Sequence, residues 1–171
     1  MSDPVERELR KCLPRLFGYA ISLTGDPETA QDLLQDCAVR AFAAASHPAE
    51  PAALRAWFFR ILRNAWIDQY RRDRYEPMTP ADEPAVETWR CDAALIDAIT
   101  VRQGLARLSP AYREVIALVD LAGFAYAEAA RILGVPVGTV MSRLSRARQA
   151  LLAAIGESNV RPLPTKVRTE A

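Results

Sequence analysis

The chain has 171 residues, of which 50% are apolar, 25% charged and 8% aromatic, with a formal net charge of +1. That composition is globular and excludes a disordered polyelectrolyte; with no run near the ~18 uninterrupted apolar residues of a membrane span, insertion into a bilayer is also excluded. The acidic opening, Met1-Ser2-Asp3-Pro4-Val5-Glu6, has no apolar core for export, so a cytoplasmic protein is expected.

Apolar residues recur at helical spacing and no useful run alternates with period two, so the expected fold is all-α. A first helix carries Leu13, Leu16, Phe17, Ala20, Ile21 and Leu23, with Pro14 in its first turn, where a missing N–H does no harm. Thr24-Gly25-Asp26-Pro27 ends it and starts the next: Gly25 as the left-handed stop, Asp26 as N-cap, Pro27 in the first helical position. The second helix turns Ala30, Leu33, Leu34, Cys37, Ala38 and Ala41 inward, and shows Glu28, Asp32, Gln35, Asp36 and Arg40 on its other face. Pro48 and Pro51 break the chain. A third helix follows, with Leu54, Trp57, Phe58, Ile61, Leu62, Ala65 and Trp66 on one side and Tyr70-Arg71-Arg72-Asp73-Arg74 at its end.

These helices predict a first small domain over residues 1–75, a bundle of three to four helices. Pro77, Pro80 and Pro84 among acidic residues make 76–93 a flexible linker. A second helical domain spans 94–157. It opens with Leu95, Ile96, Ile99, Leu105 and Leu108, and continues from a Ser109-Pro110 cap through Val115, Ile116, Leu118, Val119 and Leu121 to a stop near Gly123. Helices over Tyr126–Leu133 and roughly Val137–Ile155 complete it, and the tail over 158–171 is frayed.

The near-zero net charge conceals stripes. Residues 1–50 carry 5 basic and 8 acidic side chains, residues 51–75 carry 6 and 2, residues 76–100 carry 1 and 6, and residues 126–171 carry 7 and 3. Alternating fields of this kind imply separate surfaces with separate partners. Of the basic residues only Lys11 and Lys166 are lysines, and arginine is the better fork for phosphate and guanine. Cys12, Cys37 and Cys91 form no CxxC pair, and the lone His47 has no acidic cluster beside it, so no disulfide framework, metal site or cofactor is expected. Cys12 and Cys37 read as small core residues.

Residues 126–146 carry the most specific pattern. Ala130 lies where two helices must cross closely, Gly134 supplies a left-handed turn, and Val135 and Val140 plug the angle, which is the layout of a helix-turn-helix. From Val137 to Ile155 no acidic residue interrupts Arg143, Arg146 and Arg148, as a helix lying in an anionic groove requires. Gly138 and Thr139 offer small side chains and free N–H groups at its leading end. Met141, Ser142, Ser145 and Arg146 share the outward face. Arg146 is suited to a guanine, and Arg143 and Arg148 to the backbone. On the third helix, Arg55, Arg60, Arg63, Arg71, Arg72 and Arg74 alternate with aromatics and Asn64, the chemistry of single-stranded nucleic acid binding, although Trp57, Phe58 and Trp66 are expected in the core.

The segments "LTGDPETAQDLLQDCAVRAF" (23–42), "LRAWFFRILRNAWIDQYRR" (54–72) and "LARLSPAYREVIALVDLAGFAYAEAARILGVPVGTVMSRLSRARQALL" (105–152) resemble the bacterial alternative sigma factors of the extracytoplasmic-function group. The resemblance implies that residues 9–75 act as sigma region 2 and 94–155 as region 4. It places binding of the core RNA polymerase β′ clamp helices on Asp32, Leu33, Gln35, Asp36 and Arg40, and it implies a β-flap contact. It puts Arg60, Arg63, Asn64 and the 46–54 loop near the non-template strand of a −10 element. Region 4 would read a −35 element through Thr139, Met141, Ser142, Arg143, Ser145, Arg146 and Arg148. An anti-sigma factor is the implied inhibitor. Met141 and Ser145 stand where the family often has basic or aromatic residues, so its −35 preference does not carry over; Asp36 stands where Glu is commoner.

A conventional helix-turn-helix regulator leaves residues 9–75 without a role and needs a dimerisation helix that is absent. A sigma mimic that only titrates an anti-sigma factor would have lost the recognition arginines. An enzyme is the poorest fit, because one histidine, no nucleophile motif and no phosphate-cradling loop leave no catalytic residues or small-molecule substrate site to nominate.

Overall fold

A computed structural model describes residues 4–73 and 101–159; the expected linker over 76–93, Cys91 and nearly all of the tail over 158–171 lie outside them. All regular structure among the described residues is helical. Helix α1 (Pro4–Thr24) buries Val5, Leu9, Cys12, Leu16, Tyr19, Ala20 and Leu23. It begins well before the stripe that announced it, so Pro14 lies inside the helix rather than in its first turn, and Leu13 is exposed. Pro14 removes the hydrogen bond that an uninterrupted helix would place on the Arg10 carbonyl. The helix continues because Pro14 faces outward while Cys12 and Leu16 bury on either side of it.

Gly25, at φ 77°, stops α1. Helix α2 (Pro27–Ala43) then starts on Asp26, whose Oδ2 accepts the Thr29 N–H and the Thr29 hydroxyl, each at 2.7 Å. Its inner face, Ala30, Leu33, Cys37 and Ala41, meets helix α3 (Pro51–Asp73), which contributes Leu54, Phe58, Phe59, Leu62 and Ala65. Full burial of each large apolar side chain contributes roughly 1.5–3 kcal/mol, the term that holds these short helices together. Trp57 and Trp66 are only partly buried, at the rim of this core.

In the second half, residues 101–106 are helical, and α4 (Pro110–Ile116) passes into a π turn over Ala117–Leu121. Ser109 occupies the N-cap with extended backbone but makes no side-chain cap bond; Pro110 supplies the start. The π turn rotates the helix face, so Leu118 is buried while Leu121, expected inside, is exposed. Helix α5 (Tyr126–Leu133) is capped by the Glu128 carboxylate, which accepts the Ala125 N–H at 2.9 Å. It closes at Gly134 (φ 67°), after which Val135 N–H donates to the Ala130 carbonyl at 3.1 Å. Helix α6 (Val137–Asn159) runs past Gly156, where fraying was expected. Gly104 lies where the 101–106 helix comes close to α6: a Cβ there would stand 2.9 Å from Leu151 Cδ1, and that side chain would have to shift.

The two halves touch, and their buried side chains form one continuous cluster. Phe59 is the hinge-pin of that contact: its ring lies 5.3 Å from Tyr19 and meets Phe124 edge-on at 4.7 Å.

Candidate nucleic-acid and polymerase interface

Helix α6 is set against α5 by Val140, Leu144 and Ala147, all buried, so the side chains between them point away from the protein. Met141 is 52% exposed, and Ser142, Ser145 and Arg146 are exposed beside it. Thus the four residues assigned to base edges do share one outward face. Arg143 is half-buried at its edge, and neither it nor Arg146 has an ion-pair partner among the described residues. Two details differ from expectation. The Thr139 N–H is not free, because it donates to the Pro136 carbonyl at 3.0 Å, and the Ser142 hydroxyl donates to the Thr139 carbonyl at 3.1 Å. Arg148 is also engaged. Its Nε and Nη2 donate to the two oxygens of Asp120 at 3.0 and 2.5 Å, which holds the guanidinium more firmly protonated than usual and fixes it beside the π turn.

On α3 the three residues assigned to single-stranded DNA separate. Arg60 and Asn64 are exposed, and Arg60 lines a groove of about 480 Å³ whose walls are Trp57 on α3 and Glu128, Arg131 and Ile132 on α5. Arg63 is half-buried and turned into the contact between the halves, where its Nε donates to Glu114 Oε1 at 2.8 Å. Glu114, Phe124 and Asp120 were not singled out from sequence. The only hint lay in Phe59, an aromatic outside the inward stripe of α3 that is nonetheless fully buried.

The outer face of α2 presents Asp32 and Gln35, both exposed, and Asp36 and Arg40, both half-buried. Arg40 bonds within the protein, to Asp36 at 3.0 Å and to Asp68 of α3 at 3.1 Å, so it ties two helices together. Leu33 does not belong to this face: at 2% exposure it packs into the core, because its position falls on the inward side of the helical period. Val39 and Phe42 extend the face with exposed apolar surface that the sequence reading passed over. The face therefore offers carboxylates beside apolar area, which suits a basic partner helix with an apolar stripe.

Cys12 and Cys37 are buried free thiols. Burial pushes the Cys37 thiol up to about 12, and it raises Cys12 as well. No group of three or more His, Cys, Asp or Glu among the described residues could hold a metal ion, and no described helix is long and apolar enough to cross a membrane.

Comparison with known proteins agrees with this geometry. Residues 9–75 match Sigma-70 region 2 and residues 99–151 match Sigma-70, region 4. The ECF RNA polymerase sigma factor EcfG of Rhodopseudomonas palustris is 35% identical over 158 residues, 91% of this chain and 87% of that one. SigM of Mycobacterium tuberculosis, also an ECF sigma factor, is 37% identical over 132 residues, covering 77% of this chain and 67% of that one. Among solved structures, the sigma factor RpoE of Bartonella quintana, in complex with the anti-sigma factor NepR, superimposes with a TM-score of 0.72 at 31% identity over 88% of this chain and 96% of that one. CnrH, in complex with the cytosolic domain of CnrY, gives 0.65 at 27% identity over 90% and 88%. A recognition helix with no acidic residue from Val137 to Ile155, carried behind a three-helix bundle with relatives along nearly its full length, has one reading: the chain belongs to the extracytoplasmic-function RNA polymerase sigma factors, the initiation factors that direct RNA polymerase to its promoters.

Proposed function

We propose that this sigma factor divides its work among three surfaces. The face of α2 with Asp32, Gln35, Asp36 and Arg40 docks on the β′ clamp helices of core RNA polymerase, and a β-flap contact holds the second half. The α3 ridge with Arg60, Arg63 and Asn64 receives the melted −10 element. The outward face of α6, with Thr139, Met141, Ser142, Arg143, Ser145, Arg146 and Arg148, reads the −35 element as duplex. In this division residues 1–75 serve as region 2, 76–93 as a tether, 94–157 as region 4 and 158–171 as a tail. The chain acts by binding alone, without a catalytic step or cofactor, in the cytoplasm where its polymerase works.

The observation that carries the proposal is the outward face of α6, where Met141, Ser142, Ser145 and Arg146 are exposed together and Arg146 has no ion-pair partner among the described residues. Control by an anti-sigma protein is supported by RpoE, which was solved in complex with the anti-sigma factor NepR. The test is assembly with core polymerase. The chain should co-elute with core, and Asp32→Arg with Asp36→Arg should weaken binding to a β′ clamp fragment at least tenfold while leaving helix content unchanged, because reversed charges oppose a basic partner. Unchanged affinity would remove α2 from the interface.

A further inference from the structure

Helix α6 carries three arginines, and only one of them is tied down. Arg143 and Arg146 have no ion-pair partner among the described residues. Arg148 Nε and Nη2 donate side-on to Asp120 Oδ2 and Oδ1 at 3.0 and 2.5 Å. Asp120 is 28 positions away in the chain, on the π turn over Ala117–Leu121, where the Ala122 N–H reaches back to the Ala117 carbonyl at 2.8 Å. Tyr126, at the start of α5, lies beside the same guanidinium and also favours its charge. The π turn, α5 and α6 thus converge on one arginine head.

Neither stability nor charge accounts for this pair. Its side chains are 50% and 31% exposed, and a pair so exposed adds little to stability. By charge alone, a carboxylate here is a disadvantage, because it cancels one cation of a surface that meets phosphates. What a side-on pair does supply is direction. A free arginine must freeze several rotors when it meets DNA, whereas one already held gives up less on binding. A guanidinium has five N–H groups; Asp120 takes one from Nε and one from Nη2, and the Nη1 edge is left for a phosphate oxygen. A π turn is a poor helix that persists where its shape is used, and here it carries the carboxylate to α6.

We propose that Asp120 is a positioning residue for −35 binding: it aims Arg148 at one phosphate and so sets the register in which α6 lies in the groove, without touching DNA itself. This rests on the reading of α6 as the −35 helix. Held in place, Arg148 is a fixed stop; loosened, it is a mobile cation that any stretch of duplex attracts. Asp120 therefore governs the preference for the right −35 sequence over other duplex, and not the general attraction to DNA.

The test uses the reconstituted holoenzyme and a promoter that it selects from random duplex, either intact or with the upstream motif scrambled. Asp120→Ala should lower affinity for the intact promoter about threefold or more, while the scrambled one binds as well as before or better. The slope of log affinity on log salt should not fall. Arg148→Ala should weaken both promoters and take about one counterion from the slope. The double variant should behave as Arg148→Ala alone, because Asp120 acts only through that side chain. Asp120→Asn, which keeps the shape and leaves one acceptor oxygen, should shift the preference in the same direction, and it carries the test if alanine loosens the π turn. Tighter binding of the intact promoter by Asp120→Ala, as removal of a negative charge alone would give, overturns the proposal. So does a loss that adds to that of Arg148→Ala, or one accompanied by a smaller salt slope, which would mark a weakened domain. If Arg148→Ala changes neither affinity nor slope, Arg148 leaves the −35 surface and the positioning role goes with it. If Arg148→Ala changes both and Asp120→Ala changes nothing, only the positioning role is lost.

Discussion

Replacing Arg146 by alanine removes one base contact from the −35 surface and leaves the backbone contacts around it in place. Arg146 is exposed on the outward face of α6 without an ion pair among the described residues, so nothing must break before its guanidinium forks onto a base. The full worth of a bidentate base contact, about 1–3 kcal/mol, is at stake, roughly 5- to 150-fold in preference for the right base pair. Arg148 provides the internal comparison. Asp120 already holds it through two hydrogen bonds at 3.0 and 2.5 Å, which sets it in a fixed place suited to a phosphate. Its loss should weaken all sequences alike and lower the salt dependence by about one counterion. The assay is selection of −35 variants by holoenzyme, scored base by base. Arg146→Ala should flatten preference at one position and leave its neighbours sharp. A uniform loss across all sequences would show that Arg146 holds the backbone and that another side chain reads the base.

Other outcomes follow from the same contacts. Phe59→Ala should lower unfolding free energy in urea by about 3–5 kcal/mol, and a cycle with Phe124→Ala should show a coupling of about 0.5–1.5 kcal/mol; additive effects would mean that the rings do not support each other. Asp26 is held below the usual carboxylate range, first by the Thr29 N–H, so its cap is intact at neutral pH and is lost as the pH falls through that lowered value. Exchange of the Thr29 amide should quicken there, and an amide indifferent to acid would contradict the cap. With its thiol pushed up to about 12, Cys37 should escape alkylation in the native chain, as should buried Cys12, and both should react once urea exposes them; native labelling of Cys37 would place it outside the core.

How much could be read in advance follows from the range of the forces involved. Asp26-Pro27 and Gly134 act within a turn of their own position, so the start of α2 and the bend of the helix-turn-helix were legible. The outward face of α6 was legible for the same reason, since period alone separates Met141 and Arg146 from Val140 and Ala147. Pro14 misled because tertiary packing overrode a local preference: α1 has buried residues on both sides of it. The partner of Arg63 was hidden for a different reason. The charge of Arg63 fits nucleic acid and carboxylate equally well, and its partner Glu114 is 51 positions away, a pairing that no periodicity reports. Leu33 was grouped with Asp32 because the matching segment is continuous, although the helical period places it inside.

One experiment bears on the whole scheme at once: transcription by core RNA polymerase, with and without this chain, on a duplex library of random sequence, with every start site mapped. New starts should appear only when the chain is present, should share two short motifs at a fixed separation, and should lose definition in the upstream motif alone when Arg146 is alanine. If starts are the same with or without the chain, or if they share a single motif, then the two surfaces on α3 and α6 do not act together on a promoter.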